Sequence, residues 1–265
     1  MCRLSCILTG VLLLAASQVH AAGLPDTGQD TCYNDSAADV VGAANAGSIA
    51  GDAGTHPRQD CRFGRDAAAA AGVLSKTGAG PKGTDYTKIA NNGAPLAASA
   101  VLGTAATDWA CTHDNITGLT WEVKANVNSG LRSTNYSYAW YNTDSRSNGG
   151  NQGHPSAFAT CGGSLPNNQC NTQAYVTAVN AIALCTYTDW RVPAPGELLS
   201  LYAGEVSGVS FAYFPNSFGG SEWSAATYVR NPQEAWDVQL ESGTSFHADK
   251  SQSVRPVRLV RGTLQ

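Results

Sequence analysis

The last third of the chain concentrates the side chains most able to contact another molecule. Between Tyr228 and Gln252 stand Tyr228, Arg230, Glu234, Gln239, Glu241, His247, Asp249 and Lys250, placed by the local pattern on loops or on outward strand positions. Tyrosine and arginine are the usual anchors of binding surfaces, so this set is the leading candidate for a ligand-binding face. A second candidate is the loop from Tyr141 to Gly153, rich in Asn and Gly and entered through the aromatic pair Trp140 and Tyr141.

The same search for reactive groups gives little that resembles catalysis. Past the first 22 residues the histidines are His56, His113, His154 and His247, too far apart in sequence to share a short metal motif, and no HExxH occurs. The GxSxG of a serine nucleophile elbow is missing. Asp237 and Glu241 are spaced as paired carboxylates that can serve acid–base work, but as alternate strand residues they read as solvated surface. Asp35, Asp39 and Asp52 lack the spacing of a calcium loop, which needs several oxygens converging on one point. The expectation is no catalytic residue, no metal ligand and no cofactor, with calcium conceivable but without a motif to hold it. Arg191, Arg255, Arg258 and Arg261 are read as structural, with Arg191 pairing to Asp189 or Glu197 and the others snorkelling or pairing on a sheet face.

These residues need elements to hold them. Asn171 is a good cap for a helix running to about Leu184, with Val176, Val179, Ile182 and Ala183 inward. Pro195 suits the first position of a second helix, with Glu197 in its first turn and Leu198, Leu201 and Tyr202 inside. Ile116 to Lys124 reads as a strand entered through a glycine turn. Further on, Trp236, Val238 and Leu240 alternate with Asp237, Gln239 and Glu241, which predicts a strand with the first set buried and the second wet. A turn at Ser242-Gly243 leads to a partner strand holding Phe246 and Ala248, and a last strand near Val257 to Val260 closes the sheet. Helices followed by antiparallel strands indicate an α+β domain.

Composition bounds the rest. Of 265 residues, 14% are charged and the formal net charge is −4, with no basic stripe, which argues against nucleic acid as a partner. Residues 1–21, with Arg3, an apolar run from Cys6 to Ala16 and small residues at Val19 and Ala21, read as a secretory signal peptide too short to span a bilayer. Residues 22–106 form an Ala/Gly-rich N-terminal region expected to be partly ordered. Residues 107–265 hold all six tryptophans and read as the packed domain. Export predicts disulfides, and no CxxC occurs. Six cysteines beyond the leader allow 15 connectivities. Nearness and loop context favour Cys32–Cys61, Cys111–Cys185 and Cys161–Cys170.

A set of ordered motifs carries a family resemblance: LPDTGQDTCYND, GRDAAAAAG, DYTKIANNG, DWACTHDNITGLTWEVK, CNTQAYVTAVNAIALC, YTDWRVPAPGELLSLY, AYFPNS, EWSAATY, AWDVQL and VRPVRLVRG, running from Leu24 to Gly262. With these the chain resembles secreted bacterial proteins bearing the C-terminal domain of the Legionella collagen-like protein. That family is similar in fold to C-type lectins and to the formylglycine-generating enzyme. The resemblance implies a C-type-lectin-like, mainly antiparallel sheet flanked by two helices, with long loops and disulfides. The collagen-like repeat that names the family is absent here, and so are cysteines after Cys185, which formylglycine-type oxidation would need.

The expectation is therefore an exported, non-enzymatic recognition or adhesion protein that meets a glycan or protein ligand outside the cell, in the periplasm, at the outer surface or in the medium. Two alternatives remain: a diversified receptor of the kind targeted by retroelements, and an exported enzyme of unknown reaction.

Overall fold

A computed structural model describes residues 64–125, 129–156, 159–202, 212–217 and 220–263. The expected leader and the pair Cys32–Cys61 lie outside them. Alanine, the best helix former, fixes the first element, α1 (Arg65–Ala70), which ends before Gly72 at a positive φ of 71°. Three strands follow: β1 (Tyr86–Ala90), β2 (Pro95–Leu96) and β3 (Trp109–Asp114). The segment DYTKIANNG thus supplies β1, and a turn at Gly93 returns the chain to β2. β4 (Thr120–Glu122) completes a hairpin with β3 through the Gly118 turn.

β5 (Tyr138–Ala139) precedes a long irregular stretch. The helix capped by Asn171 is α2 (Thr172–Ala181), and the Asn171 side chain accepts from the Ala174 N–H at 2.8 Å. α3 (Pro195–Leu199) begins on Pro195 and turns Leu198 inward. Then come β6 (Ser221–Thr227), β7 (Glu234–Gln239), β8 (Thr244–Asp249), β9 (Val254–Arg255) and β10 (Val260–Arg261). The class is α+β with antiparallel sheets. No helix among the described residues is long and apolar enough to cross a membrane.

Several expectations are corrected. Among the described residues the strands form three sheets, not one: β10-β4-β3-β1-β2, β5-β9 and β6-β7-β8. The C-terminal stretch does not close the late sheet. Its strand β9 pairs with β5, and β10 joins β4 at the far edge of the five-stranded sheet. In α2 the inward residues are Tyr175 and Val179, whereas Ile182 is 57% exposed because the helix stops at Ala181 and Ala183 turns to a φ of 47°. In β7 both faces are covered at the centre: Asp237 is as fully buried as Val238, and Trp236 is only half-buried.

Five of the six tryptophans, Trp109, Trp121, Trp140, Trp190 and Trp223, are buried. Disulfides join Cys111 to Cys185 and Cys161 to Cys170, as the loop context favours. The first ties β3 to the turn after α2.

Ion pairs carry the interior between these layers. Arg258, with no exposed surface, donates to both carboxylate oxygens of Glu222 at 3.2 and 3.0 Å and to Ser217 Oγ at 3.0 Å. Beside it, Lys124 donates to Glu122 Oε1 at 3.0 Å and to the Tyr175 hydroxyl at 2.7 Å, and that hydroxyl donates to Glu122. The second Glu122 oxygen accepts from the Leu259 N–H. Two acids and two bases therefore balance inside the protein, which is what makes their burial tolerable. Burial lowers the Lys124 pKa, and Glu122 opposes that shift. Burial, with Glu122 beside it, raises Tyr175 well above the usual phenol range.

Candidate recognition surface

The surface is built on the β6–β7 hairpin. Tyr228 N–H donates to Glu234 O at 2.9 Å, and Asn231 N–H donates back to Tyr228 O, so the connecting loop is tight. Register then sets the side chains. Trp236 lies opposite His247 across the β7–β8 ladder. The His247 ring stacks on Tyr228 with centroids 4.0 Å apart and planes 6° apart. Both rings meet Trp236 edgewise, at 5.1 Å for Tyr228 and 5.8 Å for His247. His247 Nδ1 donates to Glu234 Oε2 at 2.7 Å. An aromatic triad with a carboxylate at its rim results, flanked by exposed Arg230 and by Val229, 86% exposed.

The eight candidates do not all gather there. Tyr228, Arg230, Glu234 and His247 share one end of the hairpins. Gln239 and exposed Glu241 lie at the other end, by the β7–β8 turn, on the order of 15 Å away at strand rise. Asp249 is half-buried and accepts from the Ser251 and Gln252 N–H groups at 2.7 and 2.9 Å, shaping its own turn.

Lys250 is a correction: it is fully buried, not outward. Its ammonium donates to Asn148 O, Asn151 O and Thr227 Oγ1, each at 2.9 Å, and sits 4.1 Å over the Trp140 ring. Burial pushes its pKa down to about 8. Its role is to clamp residues 142–153 against the β6–β7 hairpin, helped by an Asn151–Gln233 side-chain bond. Gly153, at a φ of 78°, closes this loop against the Trp140 carbonyl where a Cβ would collide. Replacing Lys250 by methionine strands those buried oxygens and is expected to cost about 2–3 kcal/mol. Urea titration reads the loss, and faster amide exchange confined to residues 142–153 identifies its place.

The second candidate loop thereby comes to border the first surface. It walls an open groove of about 620 Å³ lined by Tyr141, Asp144, Gln173, Val176, Arg191 and Ala225, among others. Arg191 is not free for a ligand: its guanidinium is paired in two-pronged fashion with Glu197 at 2.7 and 2.6 Å and also donates to Gly262 O. Glu197 raises the Arg191 pKa through these bonds. Asp189 pairs with Arg261 instead, at 2.8 Å, and that bond lowers the Asp189 pKa. Arg255 reaches Asp237 at 3.3 Å.

The expectation that no GxGxxG occurs is corrected by Gly78-Ala79-Gly80-Pro81-Lys82-Gly83, which has that form. It precedes β1 instead of joining a strand to a helix, so the dinucleotide geometry is not met. Two of its backbone N–H groups are taken by the chain's own acids: Gly78 donates to Asp85 at 2.8 Å, as does Thr77 just before it, and Gly83 donates to Asp66. Among the described residues, no group of three or more His, Cys, Asp or Glu is placed to hold a metal ion.

No curated protein matches the chain. A family model, the Lcl C-terminal domain, matches residues 110–261. That span runs from β3 to β10 and contains both acids and both bases of the buried network, the four late arginine pairs and both described disulfides. The motifs EWS, WDV, DWR, PGE and VRPVRLVRG are thus partners of one another, and they account for the framework and not for a ligand. On this match, over more than half its length, the chain belongs to the Lcl C-terminal domain family.

Proposed function

We propose that this protein is an exported, non-catalytic recognition protein on a C-type-lectin-like scaffold, which binds a glycan or protein ligand at a cell surface through the β6–β8 hairpins. The observation that carries the reading is the triad of Tyr228, Trp236 and His247 with Glu234 at its rim. Rings that present apolar surface beside a carboxylate suit ligands with both apolar C–H faces and hydroxyl or amine donors. Residues held in register by a hairpin lose little freedom on binding, which favours affinity. Disulfides joining buried cysteines support an oxidising compartment.

Binding to glycan arrays and to intact cell surfaces, followed by calorimetry on the ligands found, tests this. Tyr228→Ala is expected to weaken affinity about tenfold, as for an anchor residue, while its melting temperature stays near that of the parent. Arg230→Ala, at an exposed site, should weaken binding without any structural change. The proposal fails if the protein binds no glycan, matrix component or cell surface, or if both variants bind as the parent does.

A further inference from the structure

The free edge of the late sheet has a self-complementary register, and from it we propose that two copies of this chain pair antiparallel through β8. Strand order β6-β7-β8 leaves β8 bonded on one side only, among the described residues. The phase of its hydrogen bonds follows from its end. Lys250 N–H donates to Gln233 O at 2.9 Å, in the register that continues Glu234 opposite Asp249. Antiparallel residues alternate between bonded and non-bonded pairs. Thr244, Phe246 and Ala248 therefore spend their backbone groups on β7, and Ser245, His247 and Asp249 direct theirs outward. The Asp249 carbonyl is used by Ser253 N–H at 3.0 Å. Ser245 and His247 remain, each with an outward donor and acceptor, two residues apart.

Edge strands are commonly blunted by lysine, proline or a bulge. The sequence TSFHAD of β8 holds no lysine or proline, and its ladder with β7 has no register shift. Phe246, between the two outward residues, is 47% exposed. A two-fold axis at Phe246 places Ser245 of each copy opposite His247 of the other, so that both pairs exchange N–H···O bonds in both directions. The two Phe246 side chains then form the close, non-bonded pair at the axis, where cross-strand aromatic contact is favourable. Thr244 meets Ala248, and Asp249 meets Gly243, so no like charges face each other. An unrelated extended peptide would satisfy the backbone but has no reason to match this two-fold pattern. The resulting six-stranded sheet sets the two Tyr228–Trp236–His247 triads on one face.

Pairing through six residues per copy is a small contact, so micromolar, concentration-dependent association is expected. Light scattering coupled to size exclusion, over a concentration series of the purified chain, should show a monomer–dimer equilibrium. Ser245→Pro removes an outward donor and no β7 bond, and Phe246→Lys restores an edge charge. Each should raise the dissociation constant at least about tenfold with the circular dichroism unchanged. Phe246→Cys should cross-link into a disulfide dimer under mild oxidation, and Val229→Cys, more exposed but off the edge, should not. A monomer at every concentration overturns the proposal. So does a dimer insensitive to both edge variants, equal cross-linking at Val229, or a monomer that instead captures an extended peptide on this edge. Ligand binding by the monomer is read separately, so the two proposals fail independently.

Discussion

Replacing Arg258 by methionine is expected to lower stability by about 3–5 kcal/mol, the usual cost of stranding one partner of a buried ion pair. Both Arg258 and Glu222 are almost wholly inaccessible, and no other base bonds to Glu222 among the described residues. The change also removes a donor from Ser217 Oγ and from the Glu122 carbonyl. A loss of that size is a large share of the 5–15 kcal/mol that holds a typical domain together. Urea titration of Arg258→Met should show a fall in midpoint with little change in slope. The decisive comparison is the double variant Glu222→Leu/Arg258→Met. Removing both charges should recover much of the deficit, because two apolar groups demand no solvation. If the double variant is the sum of two independent losses, the pair is not the source of the penalty.

The disulfide between Cys111 and Cys185 gives the second large effect. It closes a loop with a sequence separation of 74. Chain entropy assigns such a closure about 4.5 kcal/mol, and about 2.7 kcal/mol to a loop of roughly ten residues such as that closed by Cys161–Cys170. Cys111→Ala/Cys185→Ala should therefore melt well below Cys161→Ala/Cys170→Ala, and both below the parent. All four cysteines are buried, so small cavities add to the loss in both variants and the loop length sets the order. Calorimetric scans of the three proteins, side by side, check the order. The reverse order would mean that denatured-state entropy does not govern this chain.

Local signals in the sequence proved legible where the physics is local. An asparagine cap, a first-turn proline and a Ser-Gly turn each depend on a few neighbouring residues, and α2, α3 and the β7–β8 hairpin start or turn where these stand. Which face of an element is inside was less legible. Alternation along β7 shows two faces, but Asp237 is buried too because Arg255 approaches from a different strand, and Trp236 is only half-buried because its cover comes from Tyr228 and His247. Hydropathy puts Lys250 in water. Three oxygens and an indole ring from remote segments take it out of water, and no window of sequence reports them. The division into three sheets depends on pairings such as Val260 with Trp121, which only the folded chain defines. Glu122 and Lys124 left a fainter trace: opposite charges two apart in an apolar strand, on one face, which binary patterning treats as surface. Of the surface residues, Tyr228, Arg230, Glu234 and His247 come together, while Gln239 and Glu241 stand apart because β7 is long enough to separate its ends.

The late arginines set a timetable for maturation. The buried acids Glu222 and Asp237 are made well before Arg258 and Arg255, with 36 and 18 residues between partners, and Glu122 awaits the Leu259 amide 137 residues on. A nascent polypeptide that stops short of residue 259 thus carries buried-to-be acids whose partners are not yet made, and it cannot close its interior around them. Translation has to run almost through this domain before the buried acids meet their partners, so the closing of the core falls to the last strands made.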